Sequence, residues 1–193
     1  MVQMAMLMAL VVVLQVVSAL IPPVGGVSIT LTLVPVVVGA ILFGKKGGAA
    51  LGFAFGLIVL INCITAMDPG GNILWNTNPF LTLVICFVKG IAAGFFPALL
   101  YSWICGKNEQ LSVGKKYGAA MVAALTAPVV NTGLFVCGML LFFKDTLSVW
   151  ADGKPIVTYI LLGLAGVNFL VEFFINIILT PAIVRIVDVV KKK

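Results

Sequence analysis

Histidine is absent from this 193-residue chain. That removes the imidazole on which haem, zinc and copper sites and most proton relays are built. Charge is scarce: Asp, Glu, Lys and Arg make up 9% of the residues, where a soluble domain carries about 25%. The six acidic residues are scattered, so there is no acidic cluster to hold a metal ion. The four cysteines, Cys63, Cys86, Cys105 and Cys137, include no C-x-x-C pair. They suggest neither a disulfide framework nor a zinc site and are read as small hydrophobes. There is no G-x-S-x-G elbow, and no G-K-[ST] follows any glycine run, as a phosphate loop requires. No enzyme and no cofactor is expected, and ATP-driven work would have to be powered by another chain.

What is abundant is apolar surface. The set AVILMFWYC makes up 62% of the chain and the mean hydropathy is +1.24. A small soluble domain cannot bury that much, so the expected class is an all-α polytopic membrane protein. Spans of about 20 residues, broken at Pro, Gly and Asp clusters, are expected over 4–21, 27–43, 47–67, 80–105, 116–143 and 155–190. These form one six-helix bundle with no appended soluble domain. The second span is the weakest, being interrupted by Thr30, Thr32 and Pro35.

An even number of spans puts both termini on one side. Placing them in the cytoplasm leaves nine basic residues inside (Lys45, Lys46, Lys107, Lys115, Lys116, Arg185 and Lys191 to Lys193) and two outside (Lys144 and Lys154). That asymmetry fits the positive-inside rule and a multi-pass protein of the cell membrane. The net charge of +6 is therefore assigned to orientation and not to nucleic acid. Val17-Ser18-Ala19 has the small residues of a cleavage site, but no basic n-region precedes it, so no signal peptide is expected.

Small residues four apart let helix backbones approach closely. Gly48, Gly52 and Gly56 form such a stripe on the third span, and Gly44 to Gly47 reads as a tight turn before it. Ala5 and Ala9 form a shorter stripe on the first span. It serves either packing inside the bundle or docking of another membrane subunit.

Charges at membrane depth are costly and are candidates for function. Lys89 falls ten residues after Pro79 and Glu172 seventeen after Pro155, or roughly 15 and 25 Å below the outer ends of their spans at about 1.5 Å per residue. Two readings stand side by side: a Lys89–Glu172 ion pair joining two spans, or a Lys89 that binds an anionic group from outside. Asn131, Asn168 and Asn176 add amides at depth, Asn168 and Glu172 being four apart on one face. The outer loop 68–79 is amide-rich and carries Trp75 and Asn78. Trp75 is expected to meet a ligand and Trp150 to be an interfacial anchor. The candidate site is thus Lys89, Asn131, Trp75, Asn78, Asn168 and Glu172. The loop with Pro22, Pro23, Gly25 and Gly26 is the candidate gate.

Several segments point further when taken together. They are Ala5-x-x-x-Ala9, Leu33-Val34-Pro35-Val36-Val37-Val38-Gly39-Ala40 and Phe43-Gly44-Lys45-Lys46-Gly47-Gly48-Ala49. Gly52-Phe53-Ala54-Phe55-Gly56-Leu57 and Pro128-Val129-Val130-Asn131-Thr132-Gly133-Leu134-Phe135 complete the set. Over most of its length the chain resembles the substrate-binding S components of energy-coupling-factor (ECF) vitamin transporters. The resemblance implies a vitamin held near the outer face, a membrane coupling subunit docked on the Ala5–Ala9 face, and two ATPase subunits. The segments look most like the pantothenate-type branch, in which an Arg is usual near the position of Lys89. A self-sufficient small transporter or channel and a membrane scaffold are the competing functions.

Overall fold

The computed structural model describes residues 2–19, 30–106, 112–164 and 166–191, the side chains of residues 164, 167, 168, 190 and 191 excepted. Every described element is a helix, and no strand occurs among the described residues. The long helices are α1 (Val2–Ala19), α2 (Leu33–Ile64), α4 (Pro79–Cys105), α5 (Val113–Phe142) and α8 (Gly166–Lys191). Between them lie the short helices α3 (Pro69–Thr77), α6 (Lys144–Ala151) and α7 (Ile156–Tyr159) and a π-helical turn, Ile160–Leu164. Among the described residues, five helices are long and apolar enough to cross a membrane.

The expected second and third spans fall largely within α2, which is not straight. Gly44 has φ 69° and ψ −163°, a backbone open to glycine and strained for other residues. A Cβ placed on Gly48 would come 3.0 Å from that of Ala40. Eight residues of straight helix would separate these positions by about 12 Å, so the two arms fold back on each other at Gly44. The turn expected at 44–47 is therefore present. Residues 33–43 form one arm and 45–64 the other. Pro35, expected to interrupt the second span, sits in the first turn of α2, where its missing N–H has no intrahelical acceptor to lose. The first three residues expected in that span lie outside the described residues, and the next three, Thr30 to Thr32, precede the helix.

The glycine stripe packs as its spacing predicts. Gly48, Gly52 and Gly56 face the backbones of Gly94, Gly90 and Cys86 on α4, and α2 against α4 is the most extensive helix interface. The complementary stripe, Cys86-x-x-x-Gly90-x-x-x-Gly94-x-x-x-Ala98, carries the same signal in the sequence and was not singled out. The main core joins Val11, Leu33, Val36, Val37, Leu51, Phe55, Ala123, Ala127 and Ile183. A second cluster joins Leu74 of α3, Ile85 of α4, Met139 of α5, Phe143 between α5 and α6, and Leu147 of α6. The short helices thereby roof one end of the bundle. At the opposite end, Lys116 Nζ and Asp188 Oδ1 lie 3.6 Å apart and join the start of α5 to the end of α8.

The segment 68–79, expected as an outer loop, is mostly the helix α3. Asp68 stands at its N-cap and Pro69 opens its first turn, a position where the ring is preorganised for a helix. The Asn72 amide donates to the carbonyl of Cys63 at 2.8 Å and ties α3 to the end of α2.

Candidate substrate-binding cavity

The site is built around the start of α2. Backbone N–H groups near a helix start have no intrahelical acceptor, and in an apolar bundle each unpaired one is costly. Neighbouring helices supply the acceptors here. The N–H of Thr30 donates to Glu172 Oε1 of α8 at 3.1 Å. The N–H of Leu31 donates to Ser18 Oγ of α1 at 3.0 Å. The Thr32 hydroxyl donates to Gln15 Oε1 of α1 at 2.6 Å. Gln15, Ser18, Thr32 and Glu172 are all buried. Below Glu172, the Asn176 amide donates to its carbonyl and the Thr180 hydroxyl donates to that of Asn176, each at 2.8 Å. This stitching fixes Thr30 where α1, α2 and α8 meet.

Thr30 forms part of the wall of a cavity that opens to the exterior. Gln15 of α1, Val59 and Cys63 of α2, and Asp68, Gly70, Gly71 and Leu74 at α3 line one part of it. Thr82, Ile85, Cys86 and Lys89 of α4, Asn131, Thr132 and Phe135 of α5 and Trp150 of α6 line the rest. The Lys89 ammonium sits 5.0 Å from the centroid of the Phe135 ring, within cation–π range. Asn131 is buried, and its Oδ1 has no hydrogen-bond partner among the described residues. The cavity wall therefore holds a cation and an amide whose buried oxygen lacks a partner among the described residues, and an ordinary buried carbonyl is not left in that state.

The residues expected at the site divide. Lys89 and Asn131 both line the cavity. Glu172 lies behind Thr30, fully buried, with Oε1 on the Thr30 N–H and Oε2 without a partner among the described residues. Among the described residues no salt bridge joins Lys89 to Glu172. Trp75 is half-buried and packs against the main core. Asn78 caps α4, its side chain accepting the Leu81 N–H at 3.1 Å. Neither Trp75 nor Asn78 lines the cavity, whereas Trp150 does. The side chain of Asn168, and Pro22, Pro23, Gly25 and Gly26 of the expected gate, lie outside the described residues. Ala5 and Ala9 are exposed on α1, away from the core.

Reasoning from the sequence missed Gln15, Ser18, Thr30 and Thr32. A signal existed: between Met4 and Ala19, Gln15 and Ser18 are the only polar residues. Cys63 and Cys86, read as inert, are buried thiols in the cavity wall. Among the described residues no group of His, Cys, Asp and Glu could hold a metal ion. The arrangement is suited to gripping a small polar molecule by charge and hydrogen bonds.

The comparisons agree with that geometry. The ECF transporter, substrate-specific component family matches residues 1–184. The pantothenic acid transporter PanT of Lactococcus lactis subsp. cremoris (strain MG1363) is 30% identical over 163 residues, which cover 80% of this chain and 75% of that protein. This chain belongs to the family of substrate-specific components of ECF transporters.

Proposed function

We propose that the chain captures pantothenate at the outer face of the cell membrane and presents it to an ATP-driven module for uptake. The observation that carries this reading is that one cavity is lined by Lys89 and by Asn131, whose buried Oδ1 lacks a partner among the described residues. Pantothenate has a carboxylate for the ammonium, and hydroxyls and an amide N–H for the acceptor. The likeness to a pantothenic acid transporter supports the same choice. The bound ligand meets Lys89 and Asn131, with Trp150 against its apolar part. Glu172 belongs to the polar wall behind them, and Trp75 of α3 and Asn78 at the N-cap of α4 support the elements around it.

The chain is one membrane domain of six spans, the two arms of α2 each contributing to the crossing. Both termini are cytoplasmic, which sets the basic residues of the 44–47 turn and of Lys116 inside and the roof of α3 and α6 outside. The Pro22–Gly26 connection gates the outer end. The exposed Ala5–Ala9 face of α1 receives the membrane coupling subunit, and two ATPase subunits power release.

The test is uptake of labelled pantothenate by cells that lack their own carrier. Cells expressing the chain with a coupling subunit and both ATPases should accumulate it, and cells expressing the chain alone should not. Accumulation by the chain alone would replace this reading with a self-sufficient transporter.

A further inference from the structure

Gln15 is a polar residue on a helix that is otherwise apolar for most of its length, and it is 5% exposed. It lines the cavity. Its Oε1 is held by the hydroxyl of Thr32, which is fully buried and rides on the segment that Ser18 and Glu172 pin. A glutamine amide has one acceptor oxygen and a nitrogen with two donors. The Thr32 hydroxyl donates to the oxygen, so that bond leaves both donors of the nitrogen unused.

We infer that Gln15 is a ligand-contacting residue that sets specificity, its Nε2 donating a hydrogen bond to an acceptor oxygen of the bound molecule. This rests on the reading of the cavity as the pantothenate site and adds a second donor to Lys89. The ligand is thus held by donors on α1 and α4 and by an acceptor on α5. A molecule without an acceptor oxygen at the α1 wall leaves the Nε2 donors unsatisfied and is rejected. Thr32 is a positioning residue: it touches no ligand and keeps the amide from turning over.

The experiment is calorimetric titration of the full chain, purified in detergent, with pantothenate and with pantothenol, in which an alcohol replaces the carboxylate. Gln15→Met keeps the side-chain length and removes both polar ends. It should weaken pantothenate binding about 10- to 100-fold, the usual effect of losing a hydrogen bond to a charged or strongly polar group. If the loss is the same for pantothenol, the oxygen is the amide carbonyl. If it disappears with pantothenol, the oxygen belongs to the carboxylate. Both results support the contact. A folded Gln15→Met protein that binds pantothenate within twofold of the parent overturns it. Should Gln15→Met fail to fold, Thr32→Val decides: binding weakened several-fold supports the inference, and unchanged binding overturns it. A parent chain that does not bind pantothenate at all removes the pantothenate reading and this inference with it, a result distinct from loss of the Gln15 contact alone.

Discussion

Gly52 of α2 and Gly90 of α4 exclude side chains from each other reciprocally. A Cβ on Gly52 would overlap the Gly90 carbonyl oxygen, and one on Gly90 would come 2.5 Å from the Gly52 carbonyl oxygen. Gly48 with Gly94 and Gly56 with Cys86 repeat the contact one turn to either side. The interface carries α4, and with it Lys89, against the arm of α2 that supplies Val59 and Cys63 to the cavity.

Adding a methyl group at this interface should therefore loosen the bundle. Gly52→Ala or Gly90→Ala should cost about 1–3 kcal/mol by overpacking, read as an earlier thermal transition in detergent. Gly118→Ala on α5 is the control. Nothing lies within 4 Å of its added Cβ, and alanine gains up to about 1 kcal/mol in helix propensity. It should melt no earlier than the parent.

Lys89→Ala should weaken ligand binding about 10- to 100-fold, as loss of a charge-assisted hydrogen bond does, while leaving the melting temperature close to that of the parent. The reason is that Glu172 is held by Thr30, with no Lys89–Glu172 salt bridge among the described residues. A large loss of stability would revive the ion-pair reading, since breaking a buried pair costs about 3–5 kcal/mol. Lys89→Arg should recover part of the affinity.

Tryptophan fluorescence separates the two candidate aromatics. Trp150 lines the cavity, Trp75 packs against the core, and Trp103 is 71% exposed. The ligand-induced change in emission should survive Trp75→Phe and be lost in Trp150→Phe. The opposite pattern would place the ligand under α3.

Glu172→Ala should destabilise the protein by about 1–3 kcal/mol, because it strands the Thr30 N–H in an apolar setting. Glu172→Gln keeps an acceptor oxygen for that N–H and should melt within a few tenths of a kcal/mol of the parent. Equal melting of the Ala and Gln variants would mean that the Thr30 bond holds nothing in place.

Much of this was legible in the sequence. Long apolar runs gave the membrane helices, because hydropathy needs no knowledge of partners. Gly48, Gly52 and Gly56 announced a close interface, but not with which helix, since spacing describes one face only. Lys89 and Asn131 stood out as polar groups at depth and do line the cavity. Gln15 and Thr32 were passed over because each alone looks like an ordinary polar residue near a span end. Their meaning lies in a bond between two helices. The positions of Trp75 and Trp150 were hidden for a related reason: flanking asparagines suggested a ligand loop, but Asp68 and Pro69 start a helix that packs Trp75 on the core, while Trp150 lines the cavity. One of the two readings paired Glu172 with Lys89 from charge alone, whereas the backbone N–H of Thr30 donates to its carboxylate.

The central claim is that this cavity, without help from another subunit, binds pantothenate. The most direct measurement is isothermal titration of the purified chain in detergent, without ATP and after removal of any carried-over ligand. The account predicts saturable binding at one site per chain with sub-micromolar affinity, lost in Lys89→Ala. Absence of binding by folded parent protein, or affinity unchanged in Lys89→Ala, would contradict it.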